Sequence, residues 1–207
     1  MYGIYEGGKV IAKFVAPMSV RSNRPVFVSD TLSLKRATHA RSTQRWEIET
    51  KIEPFNTSGN DFMVSLITKG FSEVATVLVP QNYAVINKRG SDEAIKATSD
   101  RDKGSAIILI KEATGVIPKG TFVRFDGHTK VYMTTLDIDI VSPPVENPSN
   151  DLVVYPPIVA DVIEDEEIRI ADNVIMYCHY DTNTRIGMQY SDGILTDNGV
   201  VKMVEKL

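Results

Sequence analysis

"RSTQRWEIETKIEP", residues 41–54, decides the fold class. Trp46, Ile48, Thr50 and Ile52 fall on one side and Arg45, Glu47, Glu49 and Lys51 on the other. That period of two is the mark of a β-strand with one wet face. Trp46, the only tryptophan, lies on the oily side. It reads as the anchor of a β core, because an indole that stacks a base or a sugar sits more often on an exposed or mixed face.

Other segments repeat the strand signal. Residues 24–29 (RPVFVS), 31–38 (TLSLKRAT), 121–125 (TFVRF), 130–141 (KVYMTTLDIDIV) and 172–180 (DNVIMYCHY) are rich in β-branched and aromatic residues. Gly, Pro, Asn or Asp bound them. Residues 75–82 (ATVLVPQN) read as a strand ended by proline, and Asp126-Gly127 as a tight turn between two antiparallel strands. A short helix is expected over residues 61–71, with Asn60 or Asp61 as its N-cap, Gly70 at its end, and Phe62, Leu66 and Ile67 at helical spacing. Residues 92–99 (DEAIKATS) carry a weaker helical pattern. The expected class is mainly β, with a minor helical component.

Composition narrows the function classes. A 207-residue chain that is 43% hydrophobic and 24% charged can build a sizeable core. Its net charge of −4 excludes a global field that attracts polyanions. The apolar runs are too short to span a bilayer as a helix, and residues 1–10 lack a signal-peptide layout, so a cytoplasmic site of synthesis with no membrane partner is expected. One domain over residues 1–207 is expected, with the polar, proline-rich residues 142–151 as a connector to the C-terminal strands.

No motif carries catalysis. His39, His128 and His179 stand apart, without a partner at zinc-binding spacing. The lone Cys178 excludes an internal disulfide and a cysteine-based zinc site. Cys178 and His179 are adjacent on a strand and so point to opposite faces. Neither EGGK (residues 6–9) nor PKGT (residues 118–121) has the glycine spacing of a phosphate loop. No cofactor is expected. The carboxylates Glu164, Asp165, Glu166 and Glu167 read as a solvated turn, with a divalent cation as the alternative. The basic group Lys35, Arg36, His39, Arg41 and Arg45 reads as a charged loop or subunit contact, with phosphate contact as the alternative.

Four segments carry a resemblance: LSLKRATHARSTQRWEIETKIEP (residues 32–54), GVIPKGTFVRFDGHTKVYMTT (residues 115–135), VVYPPIVADVIEDEEI (residues 153–168) and IGMQYSDGILTDNGVVKMVEKL (residues 186–207). Together they resemble the tail-tube-related baseplate proteins of tailed bacteriophages, a group that includes distal tail proteins and baseplate hub or tube-initiator proteins. The resemblance implies a tail-tube-like β-barrel or β-sandwich with a short helix, assembled with copies of itself as a six-fold ring in the virion tail. It further implies tail tube and baseplate hub proteins as partners, and DNA only as passing contents of the lumen. The charged face of Arg41, Arg45, Glu47, Glu49 and Lys51 then meets a neighbouring subunit or the lumen. Tube proteins also use a long hairpin to extend a lumen-lining sheet, and no such hairpin is legible in the sequence. A head–tail joining ring is a second structural reading. The reading from another class is a β-barrel that binds carbohydrate or single-stranded nucleic acid, with Trp46, Tyr177, Tyr180 or Tyr190 as stacking platforms.

Overall fold

The computed structural model describes residues 2–30, 36–40, 43–54, 57–69, 74–81, 95–111, 115–140, 151–170, 174–181, 189–192, 194–197 and 200–207. From the N-terminus these form β1 (Gly3–Glu6), β2 (Lys9–Asn23), β3 (Val26–Asp30), β4 (Arg36–Ala40), β5 (Arg45–Pro54) and α1 (Thr57–Lys69). Next come β6 (Val74–Leu78), β7 (Ile95–Ala97), β8 (Ile107–Lys111), β9 (Gly115–Ile117), β10 (Phe122–Phe125), β11 (Tyr132–Thr134) and β12 (Ile138–Ile140). The chain ends with β13 (Asp151–Tyr155), β14 (Glu167–Ile170), β15 (Ile175–Tyr180), β16 (Gln189–Ser191), β17 (Ile194–Asp197) and β18 (Val200–Glu205).

Two closed barrels organise these strands, one in the order β1-β2-β5-β18-β15-β6 and one in the order β10-β11-β13-β8-β7-β14. The mainly β class with one short helix is therefore the observed fold. By its contacts the chain divides into two compact units, Met1–Val10 with Thr76–Tyr177, and Ile11–Ala75 with Cys178–Leu207. Residues 141–150, most of the expected connector, lie outside the described residues. β13, which follows them, pairs with β11 and β8, strands that precede them.

In the unit of Ile11–Ala75 and Cys178–Leu207, the alternation of residues 45–54 becomes a central strand. β5 pairs antiparallel with β2 on one side and β18 on the other, burying Trp46, Ile48, Thr50 and Ile52. The β2 ladder carries the pairing from Ala12 opposite Pro54 to Asn23 opposite Arg45, interrupted by a register shift between Val15 and Ser19. The β3–β4 ladder continues it, from Val26 opposite Ala40 to Asp30 opposite Arg36. Residues 12–23 and 45–54 thus pair as one ladder, and residues 26–30 and 36–40 pair as a second one inside it in sequence, a nested pairing that the sequence reading did not find. Pro17, which has no N–H to donate, stands within β2. The structure accommodates it in the bulge, where the Thr50 hydroxyl donates to the Val15 carbonyl oxygen at 3.2 Å.

α1 begins four residues earlier than the expected helix and lies against β5. Met63 and Leu66 are its buried residues, whereas Ile67, expected on the packed face, is exposed. Asn60 and Asp61 lie within the helix rather than at its cap, and Gly70 is outside the described residues.

The unit of Met1–Val10 and Thr76–Tyr177 contains the second barrel. Its six strands close by antiparallel pairs around a core that includes Ile108, Ile110, Val123, Phe125, Tyr132, Leu152 and Ile168. The helical reading of residues 92–99 is corrected here. Residues 95–97 are β7, where Ile95 and Ala97 point inward and Lys96 does not; residues 92–94 are outside the described set. The single strand read over residues 130–141 is two strands, β11 and β12, parted where the Asp137 carboxylate accepts the Lys119 N–H at 2.8 Å. The EGGK segment is a hairpin turn between β1 and β2, with Gly7 and Gly8 at φ 56° and 84°.

Candidate interaction surface

β5 sets out the predicted site residues at alternate positions. Arg45 is exposed, Glu47, Glu49 and Lys51 are half-buried, and Arg41 lies outside the described residues. The neighbouring strands answer this charge. Across the β2 ladder Arg21 reaches Glu49 at 3.3 Å, and the Asn23 amide donates to Glu47. From β18, Lys202 meets Glu47 at 3.3 Å and Asp181 at 3.5 Å. Glu47 keeps only 14% of its side chain exposed, so this pair is the more sheltered one, and its hydrogen bond holds the Lys202 ammonium above its ordinary range. The Arg21–Glu49 pair, 63% and 40% exposed, adds little to stability. The face is thus a lattice of opposite charges held by three strands. The sequence reading missed Arg21, Lys202 and Asp181; the alternation of Lys202 between Val201 and Met203 is the one signal that points to it.

Beside this lattice the β2 bulge opens a cleft of ≈ 540 Å³. Ala16, Pro17, Met18 and Val200 give it an apolar lining, and Arg21, Glu49 and Lys51 charge its rim. Trp46 does not take part in this face: it is 4% exposed, and its backbone N–H donates to the Glu205 carboxylate at 3.1 Å. Of the other stacking candidates, Tyr180 is buried and Tyr177 lies under the Arg124 guanidinium, 5.8 Å from the ring centroid. The side chain of Tyr190 is outside the described set.

Groups that could carry chemistry have structural surroundings. Burial pushes the Cys178 thiol far up, with the Glu205 charge adding to the effect, so the thiolate nucleophile is suppressed. His179, next to it, is exposed on the opposite face. His128 is buried, its Nδ1 2.8 Å from the Tyr132 hydroxyl and its Nε2 3.2 Å from the Asp161 carbonyl oxygen. That hydroxyl also accepts the Val159 N–H at 3.1 Å, so the imidazole braces a loop over the second barrel.

The acidic run is divided among separate partners. Glu166 turns inward and accepts the N–H groups of Gly127 at 2.7 Å and Ile163 at 3.2 Å. A Cβ at position 127 would stand 2.9 Å from Glu166 Oε1, so a side chain there would have to shift this carboxylate. Asp165 and Glu164 face Lys111 at 2.7 and 4.0 Å, and Glu167 faces Arg169 at 2.9 Å. Among the described residues no three His, Cys, Asp or Glu side chains gather as a metal site requires. No helix among them is long and apolar enough to cross a membrane. No protein-family model matches this chain, and no curated protein matches it.

Proposed function

We propose that this chain is a non-enzymatic structural ring subunit of a bacteriophage tail, at or near the baseplate. In this reading it joins the tail tube to the hub and offers a surface on which peripheral baseplate or fibre proteins dock. Copies of the chain close a six-fold ring in the virion tail after synthesis in the host cytoplasm, and DNA passes through the lumen. The observation that carries the reading is the nested pair of antiparallel ladders within residues 12–54, β2 with β5 and β3 with β4, the first of them part of a closed barrel beside α1. This is the element that the resemblance to tail-tube-related proteins calls for. The charge lattice of β2, β5 and β18 supplies a polar, already neutralised face, suited to a neighbour or to a lumen through which DNA moves without sticking.

Two measurements test the proposal. Electron microscopy and solution mass of the purified full chain are expected to show closed rings, and immunogold labelling of virions is expected to mark the distal end of the tail. A chain that stays monomeric and never joins tails overturns the reading. Labelling at the head end of the tail overturns the baseplate placement in favour of a head–tail joining ring.

A further inference from the structure

Two Asp-Gly pairs stand in the chain, Asp126-Gly127 and Asp192-Gly193. This dipeptide carries chemistry of its own. The backbone nitrogen of the glycine can close on the side-chain carboxyl of the aspartate, because glycine has no side chain to hinder the approach. One C–N bond forms between that nitrogen and Cγ, and a carboxyl oxygen leaves as water with two protons, its own and the amide's. The cyclic imide then takes up one water. Opening at Cγ restores aspartate, whereas opening at the main-chain carbonyl carbon leaves the chain running through the side chain as isoaspartate, with no net change of mass. No oxidant, metal or second protein is required.

The rim of the second barrel holds both reacting groups of the first pair in other contacts. Asp126 and Gly127 are the central residues of a turn closed by the His128 N–H on the Phe125 carbonyl oxygen at 3.0 Å. The Gly127 N–H, whose proton must leave, donates to Glu166 Oε1 at 2.7 Å. Glu166 is itself buried, and its second oxygen accepts the Ile163 N–H at 3.2 Å. The Asp126 carboxylate, which must turn toward that nitrogen, is engaged on both oxygens, by Arg169 Nε at 2.8 Å and Nη2 at 3.0 Å. The Asp126 N–H donates to the Glu167 carbonyl oxygen at 3.0 Å, which pins the backbone before the bond. Arg169 also holds the carboxyl below its ordinary range, so the neutral acid that releases water is scarce. A side chain at position 127 would remove the hazard only by shifting Glu166, since a Cβ there would stand 2.9 Å from Oε1.

We propose that Asp126-Gly127 is a latent site of spontaneous isoaspartate formation, held closed in the folded barrel by Glu166 and Arg169. Ring closure needs the Gly127 N–H released from one residue and the Asp126 carboxylate from the other, so its rate follows the local opening of this rim rather than the dipeptide alone. The product adds one atom to the main chain directly after a ladder that pairs Val123 with Ile170 and Phe125 with Ile168. Isomerisation once begun therefore loosens the contacts that suppressed it. The opposite role is chemically open to Glu166, as a base that takes the Gly127 proton, and the experiment separates the two. The site stands without the ring reading.

The test incubates the full chain, folded and unfolded in urea, in heavy-oxygen water at neutral pH. Each passage through the imide leaves one heavy oxygen in residue 126, and tryptic cleavage after Arg124 and Lys130 isolates that residue from Asp192 for mass spectrometry. The folded wild type is expected to take up label at Asp126 about tenfold or more slowly than the unfolded chain, the factor that one charge-assisted hydrogen bond supplies. Glu166→Ala and Arg169→Ala are each expected to raise the folded rate at Asp126 by about that factor and to leave the rate at Asp192 unchanged. Glu166→Gln keeps a carbonyl oxygen for the Gly127 N–H and is expected to stay closer to the wild type than to Glu166→Ala. Equal rates in the folded and unfolded wild type overturn the proposal. An unchanged rate in either alanine variant overturns the role of the residue replaced, and a slower one in Glu166→Ala makes Glu166 the base. A rise at Asp126 and Asp192 together assigns the effect to general loosening of the chain and overturns the local lock.

Discussion

In the second barrel each of six strands has a neighbour on both sides, whereas among the described residues β3 and β4 pair only with each other. Both regions are built from antiparallel ladders, and the difference lies in how many neighbours each strand finds. In the barrel the inward residues meet across a closed core, and polar groups left inside are answered locally, as Glu166 answers the N–H groups of Gly127 and Ile163. In the arm formed by β3 and β4, one ladder of main-chain bonds is present among the described residues.

Five substitutions press on that contrast. Phe125→Ala in the closed barrel and Trp46→Ala at the root of the arm, both nearly inaccessible to solvent, are expected to cost about 3 to 5 kcal/mol each by chemical denaturation. A Trp46→Ala protein that keeps its stability would mean that the root of the arm is not packed as a core. Glu166→Ala leaves two sheltered N–H groups without their carboxylate and is expected to cost about 1 to 3 kcal/mol; an unchanged thermal midpoint would remove the loop staple from the account.

Asp126 tests the weaker electrostatics of the barrel rim. The hydrogen bond from Arg169, 2.8 Å away, holds the Asp126 carboxyl below its ordinary range. A carboxyl lowered in the folded state adds stability above its unfolded value, and that stability disappears as pH falls through the folded one. Both groups are partly exposed, so Asp126→Asn is expected to cost less than about 1 kcal/mol at pH 7, with the difference closing below about pH 4. A gap that widens in acid would reverse the sign of the argument. Smallest of all, Val26→Ser on the arm is expected to shift the stability of the isolated chain by no more than about 0.5 kcal/mol. A larger loss would mean that the chain itself already covers this residue.

Legibility in the sequence followed the same division. The alternation of residues 45–54 placed Trp46, Ile48, Thr50 and Ile52 inside and the charges outside, because a period of two needs no tertiary information. The closure of two barrels was not legible, since it depends on non-local pairs such as β8 with β13 and β7 with β14. The pairing of β2 with β5 was not legible either, since it is non-local and passes through a bulge at Pro17, beside which a threonine hydroxyl from β5 bonds the Val15 carbonyl oxygen. The charge lattice was half legible: one strand of an ion-pair network reads as an open charged face until the register brings Arg21 and Lys202 beside it. In residues 92–99, three strand residues sat inside a helical composition, and pairing of β7 with β8 and β14 overrode local propensity.

The place where the second barrel joins the rest of the chain has one further consequence. The Val79 N–H donates to the Val174 carbonyl oxygen at 2.9 Å, so the long excursion of residues 80–173 leaves and returns at a hydrogen-bonded pair next to β6 and β15, themselves adjacent strands. Ends that already touch make the excursion's length almost free to vary, since each doubling of a loop costs only about 0.6 kcal/mol of closure entropy. A change of length within residues 80–173 is therefore expected to leave β6 and β15 adjacent.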